Sequence, residues 1–140
     1  MIRGMAQWLV KEEPENYGYA QLERDRKTVW AGVKNPLAQK HLRSIQRGDR
    51  IFYYHTGKEK AVVAIATAAS DAYADPADAS GKLYVVDIGA GERLSRPVTL
   101  AEIKADPAFA SFALVRMSRL SVMPVSDREW ARVEKMAKSK

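Results

Sequence analysis

Arg50-Ile51-Phe52-Tyr53-Tyr54-His55, followed downstream by Ala61-Val62-Val63-Ala64-Ile65-Ala66-Thr67-Ala68, is the pair of segments whose reading decides the fold. Both are rich in β-branched and aromatic residues, which suit a pleated surface. Successive side chains of a strand point to opposite faces. Ile51, Tyr53 and His55 therefore share one face, and Phe52 and Tyr54 share the other. One of the two tyrosines is expected in the core, with its neighbour pointing elsewhere.

Working outward, Gln7–Lys11 reads as a short apolar strand stopped at Pro14. Tyr19–Asp25 reads as one or two helical turns. Asn35-Pro36 reads as an N-cap and first helical position, and Leu37, Ala38, His41, Leu42 and Ile45 follow at helical spacing. Gly48-Asp49 ends that helix. Residues 71–81 carry turn signals and read as a surface loop. Leu83–Ile88 is a further strand, and Gly89-Ala90-Gly91 reads as a turn. Thr99 with Glu102, and Ser126 with Glu129, are capping boxes. The first opens a short helix, and the second opens a C-terminal helix that buries Trp130, Val133 and Ala137. Val115–Met117 and Leu120–Val125 read as strands. Trp8 and Trp130 sit in regular strand and helix patterns and are assigned to the core. Strands outnumber long helices and run consecutively. The expected fold is one α+β domain over residues 1–140, with a curved, mostly antiparallel sheet or barrel and short peripheral helices.

The 140 residues suffice for one core. There is no cysteine, so disulfides and thiolate metal sites are excluded, and a cytoplasmic location is expected. No apolar run reaches membrane-spanning length, so no membrane partner is expected. Met1-Ile2-Arg3-Gly4-Met5 lacks the apolar stretch of a secretory signal. The net charge of +6 is uneven, with 12 Lys/Arg against 7 Asp/Glu in residues 1–60 and 8 against 5 in residues 101–140. Such basic segments attract phosphates by counterion release, which makes nucleic acid a natural partner.

Catalytic patterns are thin. The chain holds two histidines, His41 and His55. A triad of His55, Asp49 and a serine can be drawn, but no nucleophile elbow supports it. Neither metal-ligand spacing nor a phosphate-cradling glycine loop is present, and no cofactor is expected. Trp30 lies in a stretch without clear periodicity. Taken alone it reads as a core residue anchoring a loop, and the functional alternative is a stacking wall for a base. Lys11 and Glu13 follow the first strand, where a barrel rim would place a ligand mouth. Glu13 would accept hydrogen bonds from an exocyclic amine there, and Lys11 would meet a phosphate or carbonyl. Asn35 needs no role beyond capping. His55 reads as a strand-end hydrogen-bonder, and Ser121 as a strand hydroxyl bonded to backbone.

Four blocks taken together resemble the EVE domain, a member of the PUA-like group. They are Trp8-Leu9-Val10-Lys11-x-Glu13-Pro14, Trp30-x-Gly32-Val33-x-Asn35, Gly48-Asp49 with Phe52-Tyr53-Tyr54-His55, and Arg119-Leu120-Ser121-Val122-x-Pro124-Val125. They occur in register over nearly the whole chain. The resemblance implies a PUA-like barrel whose pocket holds a modified base, flipped or single-stranded, from DNA or RNA, without catalysis. By carry-over it implies Lys11, Glu13, Trp30, Asn35, Tyr54, His55, Thr56 and Ser121 as pocket residues. Two positions depart from the pattern. Glu12 stands where a serine is usual, and would change the polarity of the pocket if that serine contacts the ligand, and Thr56 stands where serine is common. The alternative function is a small enzyme acting on a nucleotide or base-containing substrate through His55.

Overall fold

A computed structural model of the protein describes residues 6–138. The stretch read above for a secretory signal lies outside them. In chain order the elements are β1 (Gln7–Glu12), α1 (Pro14–Tyr17), α2 (Tyr19–Asp25), β2 (Lys27–Trp30), α3 (Pro36–Arg43), β3 (Arg50–His55), β4 (Ala61–Ala68), β5 (Tyr73–Ala74), β6 (Tyr84–Thr99), α4 (Leu100–Ala105), a 3₁₀ turn (Pro107–Phe109), α5 (Ala113–Arg116), β7 (Val122–Pro124) and α6 (Asp127–Lys138). The strands form one curled half-barrel in the order β2-β6-β4-β3-β1-β7, with β5 pairing to β6. All pairings are antiparallel except β1 with β3. This is the α+β, PUA-like architecture expected from the strand pattern, with short helices on the periphery.

Helix starts follow local chemistry. The Asn35 side chain accepts from the Ala38 N–H at 3.0 Å, with Pro36 at the first helical position. Thr99 and Glu102 cap α4 reciprocally, and Ser126 and Glu129 do the same for α6.

The sheet is covered on both faces. On one, Phe52 stacks on Trp130 of α6 at 3.6 Å between centroids, and the Arg50 guanidinium lies 4.5 Å from the Trp130 ring. On the other, Tyr53 meets Tyr19, Trp30 and His55 edge to face. Such pairs add about 0.5–1.5 kcal/mol each beyond burial. Asp49 is buried, and its carboxylate accepts from the indole N–H of Trp8 at 2.9 Å and from the N–H groups of Gln46 and Ala6. These donors offset the desolvation of the charge and pin the entry to β3 against β1.

The structure corrects the sequence reading in several places. Tyr53 and Tyr54 are both buried, because helices cover each face of the sheet. Val115 lies in helix α5 rather than a strand, where it follows the buried Leu114 by one residue. Residues 71–81 include the short strand β5. Lys27–Trp30, which shows no clear periodicity, is strand β2, paired to β6 from Lys27↔Gly89 to Trp30↔Val86. Gly89-Ala90-Gly91 is no turn but the middle of the 16-residue β6. The register against β4 slips there, with Ile65 opposite Glu92 and Ala66 opposite Ala90. Gly91 is the extra residue of this bulge, and a Cβ on it would lie 2.2 Å from the Ile65 carbonyl oxygen. A local turn signal and a bulge glycine look alike in sequence.

The Arg96 guanidinium and the Thr99 N–H hold the Glu102 carboxyl down at about 2, against an ordinary value of 4.5. A depressed folded-state pKa contributes stability that is present above the unfolded value and lost as pH falls through the folded one. The pair is about one-third exposed, so the contribution is small. Glu102→Gln should therefore flatten the acid limb of stability between pH 4.5 and 2. Urea midpoints across that range check this, and parallel acid limbs in wild type and variant would contradict it.

Candidate nucleic-acid interface

The parallel β1–β3 pair sets the geometry, with Val10 opposite Tyr53, Lys11 opposite Tyr54 and Glu12 opposite His55. Trp8, Val10 and Glu12 therefore face the Tyr53 side, while Leu9 and Lys11 face the Phe52 side with Tyr54. Trp30 ends β2 and sets its ring edge-on to Tyr53 at 5.5 Å and 80°. It is only 6% exposed. What remains open of it walls a recess of about 160 Å³, together with Glu12, Tyr17, Thr28, Val29 and Ala31. Glu12 Oε1 accepts from the Glu13 N–H at 2.8 Å. Its other oxygen has no hydrogen-bond partner among the described residues.

The segment after Trp30 turns at Gly32, whose φ of +78° favours a residue without a Cβ. The buried Gln39 amide then donates to the Val33 and Tyr84 carbonyls, and its oxygen accepts from the Tyr84 N–H. This bond set fixes the loop to α3 and β6. It delivers Asn35 to one wall of a groove of about 610 Å³, whose opposite wall runs from Arg116 to Leu120. Arg116 and Arg119 are exposed, and neither forms an ion pair among the described residues. Leu37 and the exposed Met117 give the groove apolar lips. Lys11 reaches the same wall. Its Nζ donates to the Ser118 carbonyl at 3.0 Å and sits 5.6 Å from the Tyr54 ring, and its backbone N–H donates to the Ser121 carbonyl. Burial lowers the Lys11 pKa, and burial raises the Tyr54 hydroxyl to about 12.

The other residues singled out by sequence are used differently. Glu13 turns away from Trp30, and its Oε2 accepts from the Thr56 hydroxyl at 3.0 Å. The two thereby bind the β1–α1 turn to the β3–β4 turn. His55 is buried, and its Nε2 accepts from the Tyr19 N–H at 3.0 Å. An N–H can only donate, so the ring proton is on Nδ1, which donates to Glu59 Oε1 at 2.7 Å. His55 lines a separate cavity of about 530 Å³ with Tyr19 and Arg93. Ser121 is half-buried and bonds through its carbonyl, and among the described residues its hydroxyl makes no hydrogen bond. The structure thus brings Asn35 and the Arg116–Leu120 segment together at the groove, with Lys11 bonded to the Ser118 and Ser121 carbonyls behind that wall. It sets Trp30 in the recess with Glu12, and places Glu13, His55 and Thr56 elsewhere. Glu12, noted from sequence only as a departure from the serine pattern, lines that recess. Strand alternation from Trp8 through Val10 was the signal that could have put it on their face of β1.

Among the described residues, no group of three or more His, Asp or Glu is set to hold a metal ion. No helix there is long and apolar enough to cross a membrane.

The family profile described as EVE domain matches residues 6–136. Rpa0253 from Rhodopseudomonas palustris, solved by NMR, is 47% identical with a TM-score of 0.91, over 95% of this chain and 93% of that one. The crystal structure of human THYN1 in complex with 5-methylcytosine-containing DNA is 24% identical with a TM-score of 0.87, over 96% of this chain and 99% of that one. Thymocyte nuclear protein 1 of Gallus gallus is 28% identical, over 88% of this chain and 65% of its own length. The chain thus spans about two-thirds of that relative.

Trp30 is an interior residue first. Trp30→Ala removes its contact with Tyr53 and should cost about 3–5 kcal/mol, while Trp30→Phe retains most of the packing. Chemical denaturation of both variants checks this. A loss below about 1 kcal/mol for the alanine variant would mean that the ring serves the recess rather than the core.

Proposed function

The chain belongs to the EVE domain family, and on that premise we propose that it is a non-catalytic module that binds nucleic acid and receives a modified base displaced from the stack. The observation that carries this reading is the pairing of two features. One is a groove whose Arg116 and Arg119 form no ion pair among the described residues, and the other is a recess walled by Trp30. Exposed guanidinium groups suit phosphates, which position a strand, and a flat-walled recess suits the edge of a base, which specifies it. The complex of human THYN1 with 5-methylcytosine-containing DNA makes that base in DNA the first ligand to test here, with RNA as the comparison.

In this reading Asn35 joins the arginines along the groove, Lys11 and Ser121 hold the Ser118 wall from behind, and Trp30 supplies a wall rather than a full stacking face. Glu13, Tyr54, His55 and Thr56 act from behind, by fixing the strand ends that carry the first group. An enzymatic role for His55 has no such support. Both ring nitrogens are engaged, so no lone pair is left to take a proton from a substrate.

A buried methyl group contributes about 0.8 kcal/mol, so preference for 5-methylcytosine over cytosine should be modest, about three- to fivefold. Arg116→Gln with Arg119→Gln should weaken binding to both oligonucleotides alike. It should also reduce the log–log salt slope by about 1.4–1.8, the share of two phosphates. Fluorescence anisotropy over a salt series measures both effects. Equal affinity for the two bases, with no salt dependence, would overturn the reading.

A further inference from the structure

We propose that Glu12 makes this module a reader of amine-bearing bases, its carboxylate accepting a hydrogen bond from the exocyclic amino group of a base edge in the Trp30 recess. The proposal rests on the base-binding reading above and adds to it the selecting residue and the chemical class selected. Glu12 shares a sheet face with Trp8 and Val10, and the β1–β3 register sets it beside the Tyr53 row rather than towards Lys11 and Tyr54. It lines the recess with Trp30, Tyr17 and Thr28. Burial raises the Tyr53 hydroxyl and the Glu12 carboxylate adds to the rise, which agrees with that direction.

One carboxylate oxygen is fixed by the Glu13 N–H at 2.8 Å, which orients the group. The second has no partner among the described residues. A carboxylate only accepts hydrogen bonds. It therefore favours the N4 amino group of a cytosine or the N6 amino group of an adenine, and opposes the O4 carbonyl of a thymine or uracil. At about 160 Å³ the recess is smaller than a pocket that engulfs a ligand. It admits an edge, and an edge is where amine and carbonyl differ. The serine usual at this position in the resemblance read above both donates and accepts, so it would not impose this choice.

5-Methylcytosine and thymine test the idea directly. Both carry the C5 methyl group, and they differ at C4 in amine against carbonyl and in the protonation of N3. Single-stranded oligonucleotides identical except for one such base, with a cytosine version as reference, are titrated against wild type and Glu12→Gln by fluorescence anisotropy. Gln retains the size and the acceptor towards Glu13, and circular dichroism confirms folding. With its oxygen kept on the Glu13 N–H, its NH2 faces the recess and donates, so it favours the thymine carbonyl over the amine. Wild type should bind the 5-methylcytosine oligonucleotide about tenfold more tightly than the thymine one, and Glu12→Gln should bring the ratio below about threefold. The ratio cancels any general loss of affinity. If wild type prefers 5-methylcytosine to cytosine yet treats 5-methylcytosine and thymine alike, the role of Glu12 fails and base binding stands. If discrimination is strong and the variant keeps it, Glu12 is likewise not the selector. If wild type distinguishes none of the three, the base-binding reading fails as well.

Discussion

The parallel pairing of β1 with β3 is the constraint on which the rest depends. These two strands lie inside the sheet, β1 between β3 and β7 and β3 between β4 and β1. Their register decides which side chains meet on each face. A slip of one residue would exchange the faces along a strand. It would carry Tyr53 away from Trp30 and Tyr19, and Phe52 away from Trp130. The register is held at its start by Asp49, which ties β3 to the Trp8 indole. It is held at its end by the Thr56 N–H, which donates to the Glu12 carbonyl at 3.0 Å, and by the Thr56–Glu13 side-chain bond.

From that pairing follows the division of labour among polar residues at the strand ends. Lys11 and Glu12 are sequence neighbours, yet alternation sends one to the Ser118 carbonyl and the other to the Trp30 recess. Glu13 lies beyond the strand and becomes a strap between turns. His55 pairs with Glu12 in register, but the start of α2 packs beside it, and its ring is committed to Tyr19 and Glu59. Buried polar groups with all partners in place hold backbone, and this network does so.

The groove between α3 and the Arg116–Leu120 turn has a different origin. Its walls come from segments about 80 residues apart, joined through Lys11 and through the packing of α3 beside β7. Basic residues were placed at both ends of the chain by composition alone. Their arrangement around one concavity is a property of the fold.

What the sequence determined by itself is local or periodic. The caps at Asn35, Thr99 and Ser126 were legible because each needs only a side chain and an N–H three residues on. Most strands, the core tryptophans and the family membership were legible from alternation and from motifs in register. The bulge at Gly91 and the strand ending at Trp30 were not, since each depends on a partner segment distant in the chain, and the four-residue helix at Val115 is too short to show a helical period. The candidate site was legible in part. Trp30 and Asn35 were named from sequence and lie at the recess and the groove, and Lys11 was named with them and holds the groove wall from behind. Glu13, His55 and Thr56 were named too, but tertiary contacts turned them to supporting bonds. Glu12 was noted as a departure but not named as a site residue, because only the pairing of β1 with β3 and the approach of β2 reveal what its face of the strand looks onto. Sequence chemistry specifies which groups are available, and the register of distant strands decides which of them stay free.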